Sequence, residues 1–254
     1  MIEPVKGSLE LGKVSEYVNE YAPGLLAAVA RSNTRKDLPL SEYPGFDLWH
    51  CFEVEHLDEK GKPVHSEVTI AYPSTTDLIV ESKSLKLYIG SFANTRIHPY
   101  AILHVIKKDL SQLLDTPYVC VYPIDETQFT SFTFGIQNCV FKWDAFRSRC
   151  KVTGQPDTAM VFLYMRNHDI FKYSNDSETL LAFLGKFREQ QDFHESCIDE
   201  IYCHLSKMYD SFLVLGAFRR RGGIAITPIR NHNYHNSDFD ILDDEYLRSV
   251  LVGQ

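Results

Sequence analysis

The clearest alternation of apolar and polar positions runs through residues 46–56 (FDLWHCFEVEH). It predicts a strand, because successive side chains on an extended chain face opposite ways. The run stops at Asp58-Glu59-Lys60-Gly61-Lys62, a hairpin signal, and residues 63–72 (PVHSEVTIAY) read as the return strand. Upstream, the apolar run 25–31 predicts one or two short helical turns. Residues 32–44, polar and broken by two prolines, predict a loop. Residues 77–81 form another short apolar piece leading into a polar cluster at 81–88. Apolar residues at 102, 103, 105, 106, 110, 113 and 114 give residues 99–114 the period of an amphipathic helix. Residues 118–122 read as a strand, and 127–143 as β-rich without a defined register.

The second half repeats this order. A strand is expected at 158–166, then a helix at 177–190, with Ser177 as its N-cap and Leu180, Leu181, Phe183, Leu184 and Phe187 as its buried stripe. A further helix at 193–208 turns Ile198, Ile201, Tyr202 and Leu205 inward. Strands at 211–218 and 224–229 flank a turn, Arg219-Arg220-Arg221-Gly222-Gly223. The tail is polar, then weakly helical. Hairpin, helices and closing strand in each half predict an α+β protein of two modules, 1–125 and 126–254, although no residue-level repeat is visible.

Composition narrows the functional classes. In 254 residues, 26 Lys and Arg stand against 34 Asp and Glu, a net charge of −8. Such a chain is unsuited to binding nucleic acid over its whole surface, so an anionic ligand needs a local basic cluster. Six cysteines occur without a C-x-x-C pair. The start lacks a signal-peptide pattern, and no apolar run approaches the roughly 20 residues of a membrane span. A reduced, soluble, cytoplasmic protein is expected.

Four groups carry candidate chemistry. Cys150 and Asp157 are separated by Gly154 and Pro156, which forbid a regular helix between them. They form either a nucleophile and acid on a tight loop feeding a strand, or a turn with an incidental cysteine. Glu81-Ser82-Lys83 is either a helix cap with first-turn charges or a ligand site. His194-Glu195 either complements a helix dipole in solvent or serves a site. The run Arg219–Gly223 is either a cationic hairpin or a phosphate site of arginine donors beside exposed amides. A metal centre is not expected. His194, Cys197, Cys203 and His204 share one helix, which puts the two histidines roughly 15 Å apart. Neither a dinucleotide-fold glycine motif nor a P-loop is present.

Taken together and in order, these motifs resemble the NADPH-dependent 7-cyano-7-deazaguanine reductases, nitrile reductases of queuosine biosynthesis, in their two-module form. Glu81 to Tyr88 (ESKSLKLY) matches the family signature at every position. Cys150 to Asp157 matches C-x-x-T-x-Q-P-D, and Phe193-His194-Glu195 and Arg220-Arg221-Gly222-Gly223 match two further motifs. The resemblance runs from Leu11-Gly12-Lys13 to the closing hairpin. Two departures stand out: a shorter connection between Tyr122 and Cys150, and Thr227-Pro228 where Asn-Pro is expected.

The resemblance implies tandem tunnelling-fold (T-fold) modules, antiparallel sheets with two helices on one face, assembled as a homodimer with the site between modules. It implies a small deazapurine substrate, no direct nucleic-acid or membrane partner, and NADPH as cofactor. Cys150 would add to the nitrile as a thiolate, with Asp157 as general acid and His194 assisting proton transfer or holding the substrate. Val80, Glu81, Ser82, His194 and Glu195 would bind the substrate; Ser82, Lys83, Arg221 and Gly222 would bind the cofactor. Two rivals remain: a non-reducing thiol enzyme of amidinotransferase type, and a purine-binding tunnelling-fold protein without catalysis.

Overall fold

A computed structural model describes residues 18–123, 139–165 and 178–234. Its backbone is α+β, the class expected. Contacts divide the described residues into two units: 18–37, 48–123 and 220–225 in the first, and 38–47, 139–165, 178–219 and 226–234 in the second.

In the first unit, strand β2 (Gly45–Leu57, counted here from residue 48) is joined to β3 (Pro63–Pro73) by the expected hairpin. The Asp58 carboxylate accepts the N–H groups of Lys60 and Lys62 at 2.9 and 2.8 Å, which closes the turn. Strand β5 (Cys120–Pro123) pairs antiparallel with β3, Ile70 opposite Val121. The apolar run at 25–31 departs from the helical expectation. Pro23–Leu25 is a single 3-10 turn, and Ala28–Ala30 is strand β1, antiparallel to β4 (Leu78–Val80). Ala28 and Val29 are fully buried in that pairing, so tertiary contact overrides the helical preference of alanine. The polar stretch after it is not all loop, because Arg31–Arg35 forms a short helix, α1, with Arg31 buried.

Helices α2 (Ser82–Gly90) and α3 (Pro99–Leu114) complete this unit, the second with the predicted bounds. Their inner faces carry Leu85, Tyr88 and Ile89, and Ile102, Ile106 and Leu110. One buried carboxylate links them: Asp109 accepts the hydroxyls of Tyr88 and Tyr21, each at 2.7 Å. Burial first, then this hydrogen bond and charge, raise the Tyr21 phenol to about 12 and push the Tyr88 phenol up as well. Asp109→Ala is therefore expected to cost about 1.5–3 kcal/mol of stability, the scale of hydrogen bonds to a charged group. It should also let Tyr21 ionise at lower pH, as an ultraviolet absorbance titration would read. An unchanged Tyr21 titration would remove Asp109 as a cause.

The second unit carries strands in the order β10-β9-β7-β6-β8: β6 (Cys139–Cys150), β7 (Pro156–Met165), β8 (Gln191–Asp192), β9 (Phe212–Phe218) and β10 (Ile224–His232, counted from residue 226). All these pairings are antiparallel except the short β6–β8 contact, which is parallel. Helix α4 (178–185) runs into a 3-10 turn, Lys186–Glu189, and α5 (His194–Leu205) follows β8. Leu180, Leu184 and Phe187 enter the core as expected, whereas Leu181 is exposed. Four residues after Phe187's turn the chain re-enters a helix, and Ile198, Ile201, Tyr202 and Leu205 of α5 are all buried. Close approach of α5 to β9 uses Gly216, where a Cβ would fall 2.5 Å from the Ile198 side chain. Ser177, residues 127–138 and the tail from residue 235 lie outside the described residues.

Candidate active site

The second unit builds its site on a hairpin end. Cys150 is the last residue of β6 and Asp157 the second of β7, so both belong to strands, with only 151–155 left as the turn. The Cys150 N–H donates to Gln155 O at 2.8 Å, and the Gly154 N–H to Cys150 O at 3.0 Å. Gly154 has φ +66°, the left-handed conformation that glycine adopts without strain. The Arg149 Nε donates to the Gly154 carbonyl at 3.1 Å and pins the turn from outside.

Strand register decides which way the two groups face. Ser148 lies opposite Asp157, so the two share one face, and Cys150, two residues beyond Ser148, shares it too. Cys150 and Asp157 are thus diagonal neighbours, with Cα atoms roughly 7–8 Å apart. Asp157 continues the buried positions of β7, Ala159 and Val161, and is only 2% exposed. Cys150 is half-buried.

Beside them, β8 sets Asp192 level with Cys150. The Asp192 carboxylate accepts the Phe193 N–H at 2.9 Å and lies 3.9 Å from the Lys151 ammonium. Burial outweighs these contacts and raises its pKa. Two residues on, α5 begins. Its first residue, His194, points Nε2 to within 3.3 Å of the Asp157 carboxylate and packs against the Phe218 ring, with centroids 4.1 Å apart. Glu195 in the same turn is 4% exposed, which removes the solvated reading of this pair. The structure therefore brings Asp157 and His194 together beside the hairpin end that carries Cys150, with Glu195 at the same helix start. Cys197, two residues further, is a buried thiol whose pKa burial pushes well up, as core filling and not as a ligand.

In the first unit, Val80 ends β4 and is buried, and Glu81 is the N-cap of α2. Its carboxylate accepts the N–H groups of Lys83 at 3.0 Å and Ser84 at 2.7 Å, so the cap reading of Glu81 holds in the folded chain. Ser82 and Lys83 occupy the first turn of α2, half-buried. Arg221 flanks, and Gly222 begins, a two-residue turn closed by the Arg221 N–H to Ile224 O at 3.0 Å.

Residues 17–121 match the family described as nitrile reductase, 7-cyano-7-deazaguanine-reductase N-term, and residues 156–237 match the family described as QueF-like protein. Proteins named NADPH-dependent 7-cyano-7-deazaguanine reductase are similar along nearly the whole chain. That of Colwellia psychrerythraea is 30% identical, covering 91% of this chain and 94% of its own. That of Desulfotalea psychrophila is 32% identical, covering 91% and 95%. That of Legionella pneumophila, strain Lens, is 32% identical, covering 87% and 89%.

The chain belongs to the 7-cyano-7-deazaguanine reductase family. In this member of the reductase family, the turn at 221–224 combines two left-handed glycines with a neighbouring lysine. Gly222 and Gly223 take φ +59° and +83°, conformations that side-chain-bearing residues rarely adopt. The Lys86 ammonium packs so close to Gly222 that a Cβ there would fall 2.2 Å from Nζ. Lys86 lies in the 81–88 segment singled out from sequence but was given no role there. Its spacing of three from Lys83 on a helix was the available signal. Among the described residues, no helix of this reductase-family chain is long and apolar enough to cross a membrane.

Proposed function

We propose that the chain reduces the nitrile of 7-cyano-7-deazaguanine to an aminomethyl group, with NADPH, on the route to queuosine in tRNA. The observation that carries this reading is the half-buried Cys150 sharing a strand face with buried Asp157, itself 3.3 Å from His194. A nitrile carbon accepts hydride poorly. Addition of the Cys150 thiolate to that carbon, with a proton to nitrogen, forms a thioimidate whose C=N bond is a far better acceptor. Bound NADPH supplies the hydrides, two for each nitrile. After the first, the C–S bond breaks and the thiolate leaves, giving an imine. The second hydride and one proton complete the amine.

Asp157 would deliver protons to nitrogen, with His194 as its exchange partner, a reading that their 3.3 Å contact supports. Glu195, and by resemblance Val80, Glu81 and Ser82, would recognise the guanine-like edge, whose N–H groups a carboxylate accepts. Lys83, Ser82, Arg221 and Gly222 would hold the cofactor. By resemblance alone, a cytoplasmic homodimer of tunnelling-fold modules is expected, which light scattering would check for the dimer.

Asp157→Asn tests the acid. It keeps the shape of the side chain and removes the proton source. Turnover should fall by about 10²–10⁴-fold, the usual contribution of a positioned general acid. The measurement is NADPH absorbance with the cyano-deazaguanine, with the amine product identified by mass. Retention of more than a tenth of wild-type turnover would assign proton delivery elsewhere.

A further inference from the structure

On the first unit's β2, an arginine and two rings are stacked beside the cofactor turn. The Arg220 guanidinium carbon lies 4.8 Å from the centroid of the Phe52 ring. The His50 ring stacks on Phe52 with centroids 3.8 Å apart and planes within 8°. His50 is wholly buried, with Nε2 3.5 Å from the Glu67 carboxylate, a loose approach and not a hydrogen bond. Burial, and then the Arg220 charge, lower its pKa to about 4, so the ring is neutral at pH 7 and sets no second cation under the arginine. The Phe52 N–H donates to Gly223 O at 2.9 Å, which ties the turn to the strand that carries the stack.

We propose that Arg220, laid on Phe52, receives the 2′-phosphate at the adenosine end of NADPH and sets the preference for NADPH over NADH. The proposal rests on the reading of the chain as an NADPH-dependent reductase and adds a residue to it. Stacking engages the face of a guanidinium and leaves its in-plane N–H groups available, the geometry in which arginine binds a phosphate through two parallel hydrogen bonds. The arginine side chain is exposed, so a ligand reaches it without displacing the core. Anchoring on a ring also removes much of the rotamer freedom that a solvated arginine would lose on binding. In a chain of net charge −8, the three arginines at 219–221 are a local exception. Lys86 against Gly222 adds a second cation to the turn, while the Glu53 carboxylate against Gly223, 2.6 Å from where a Cβ would lie, confines the anion-seeking end to the Arg220 and Gly222 side.

The test measures binding of adenosine 2′,5′-bisphosphate and of 5′-AMP by titration calorimetry on the full chain, without turnover. Arg220→Gln is expected to weaken the bisphosphate at least tenfold and 5′-AMP less than twofold, with an unchanged unfolding midpoint because the side chain is exposed. The ratio of kcat/KM for NADPH to that for NADH should fall by the same factor as the bisphosphate affinity. Arg220→Lys, which keeps the charge without the flat fork, should recover only part of the loss. Bisphosphate binding within twofold of wild type in Arg220→Gln would overturn the proposal, as would a wild type that binds the two nucleotides equally. Full recovery in Arg220→Lys would overturn the stacked geometry. Selective bisphosphate binding lost in Arg220→Gln, in a protein that does not reduce the nitrile, would uphold this site and sink the reductase reading instead.

Discussion

Cys150→Ala should leave no measurable nitrile reduction and no covalent adduct. Without the thiolate, hydride would have to attack the nitrile itself. The loss is expected at about 10⁴-fold or more, the scale on which removing a covalent nucleophile acts. The buried thiols are poor substitutes. Cys51, Cys197 and Cys203 are buried, and burial raises all three thiols, Cys51 to about 12. The fold should be indifferent to the change, because Cys150 is half-buried at a hairpin end whose closing bonds are made by its backbone. Two measurements separate catalysis from folding: intact mass after incubation with the nitrile in the absence of NADPH, and the unfolding midpoint. An adduct on wild type alone, with unchanged midpoints, is the expected pair. Turnover above a hundredth of wild type in Cys150→Ala would end the thioimidate proposal. An adduct on the variant would move the nucleophile to another residue.

Much of this site was legible because its parts are local. The C-x-x-T-x-Q-P-D segment closes its own hairpin, so eight residues of sequence contain both strand ends and the glycine that permits the turn. Helix α3 was legible to the residue, since Pro99 marks its first turn and the apolar period is unbroken to Leu114. Legibility failed where a segment's state depends on a distant partner. Ala27 to Ala30 has a helical composition, and only the pairing with β4, some 50 residues on, makes a strand of it. Leu181 fits a helical stripe by spacing, yet the rotation of α4 in its unit leaves it in solvent. The Asp157–His194 contact joins residues 37 apart in sequence, and the Arg220–Phe52–His50 stack joins residues about 170 apart. Neither has a local signature; what sequence offered there was residue type alone.

The largest stability effect is expected at Arg230, another contact invisible along the chain. Its guanidinium is wholly buried in the second unit, with Nε donating to Asp199 at 2.5 Å and Nη1 to Asp47 at 2.9 Å. Burial alone would lower its pKa, but the two carboxylates more than reverse this and hold the proton firmly. Nη1 also donates to the carbonyls of Phe46 and Ile229, which fixes the plane of the group. Arg230→Met fills similar volume but leaves two carboxylates buried near each other without a cation. Breaking a buried pair in this way costs about 3–5 kcal/mol, and here the residual charges repel. Asp199 lies one turn after Glu195 on α5, so the damage should concentrate in the helix that carries His194. Chemical denaturation should show the loss, and hydrogen exchange should show it first in the amides of α5. Adding Asp47→Asn and Asp199→Asn to Arg230→Met should restore most of the stability, because it removes the uncompensated charge. Were the triple variant as unstable as the single one, packing around the guanidinium, not its charge, would be what Arg230 contributes.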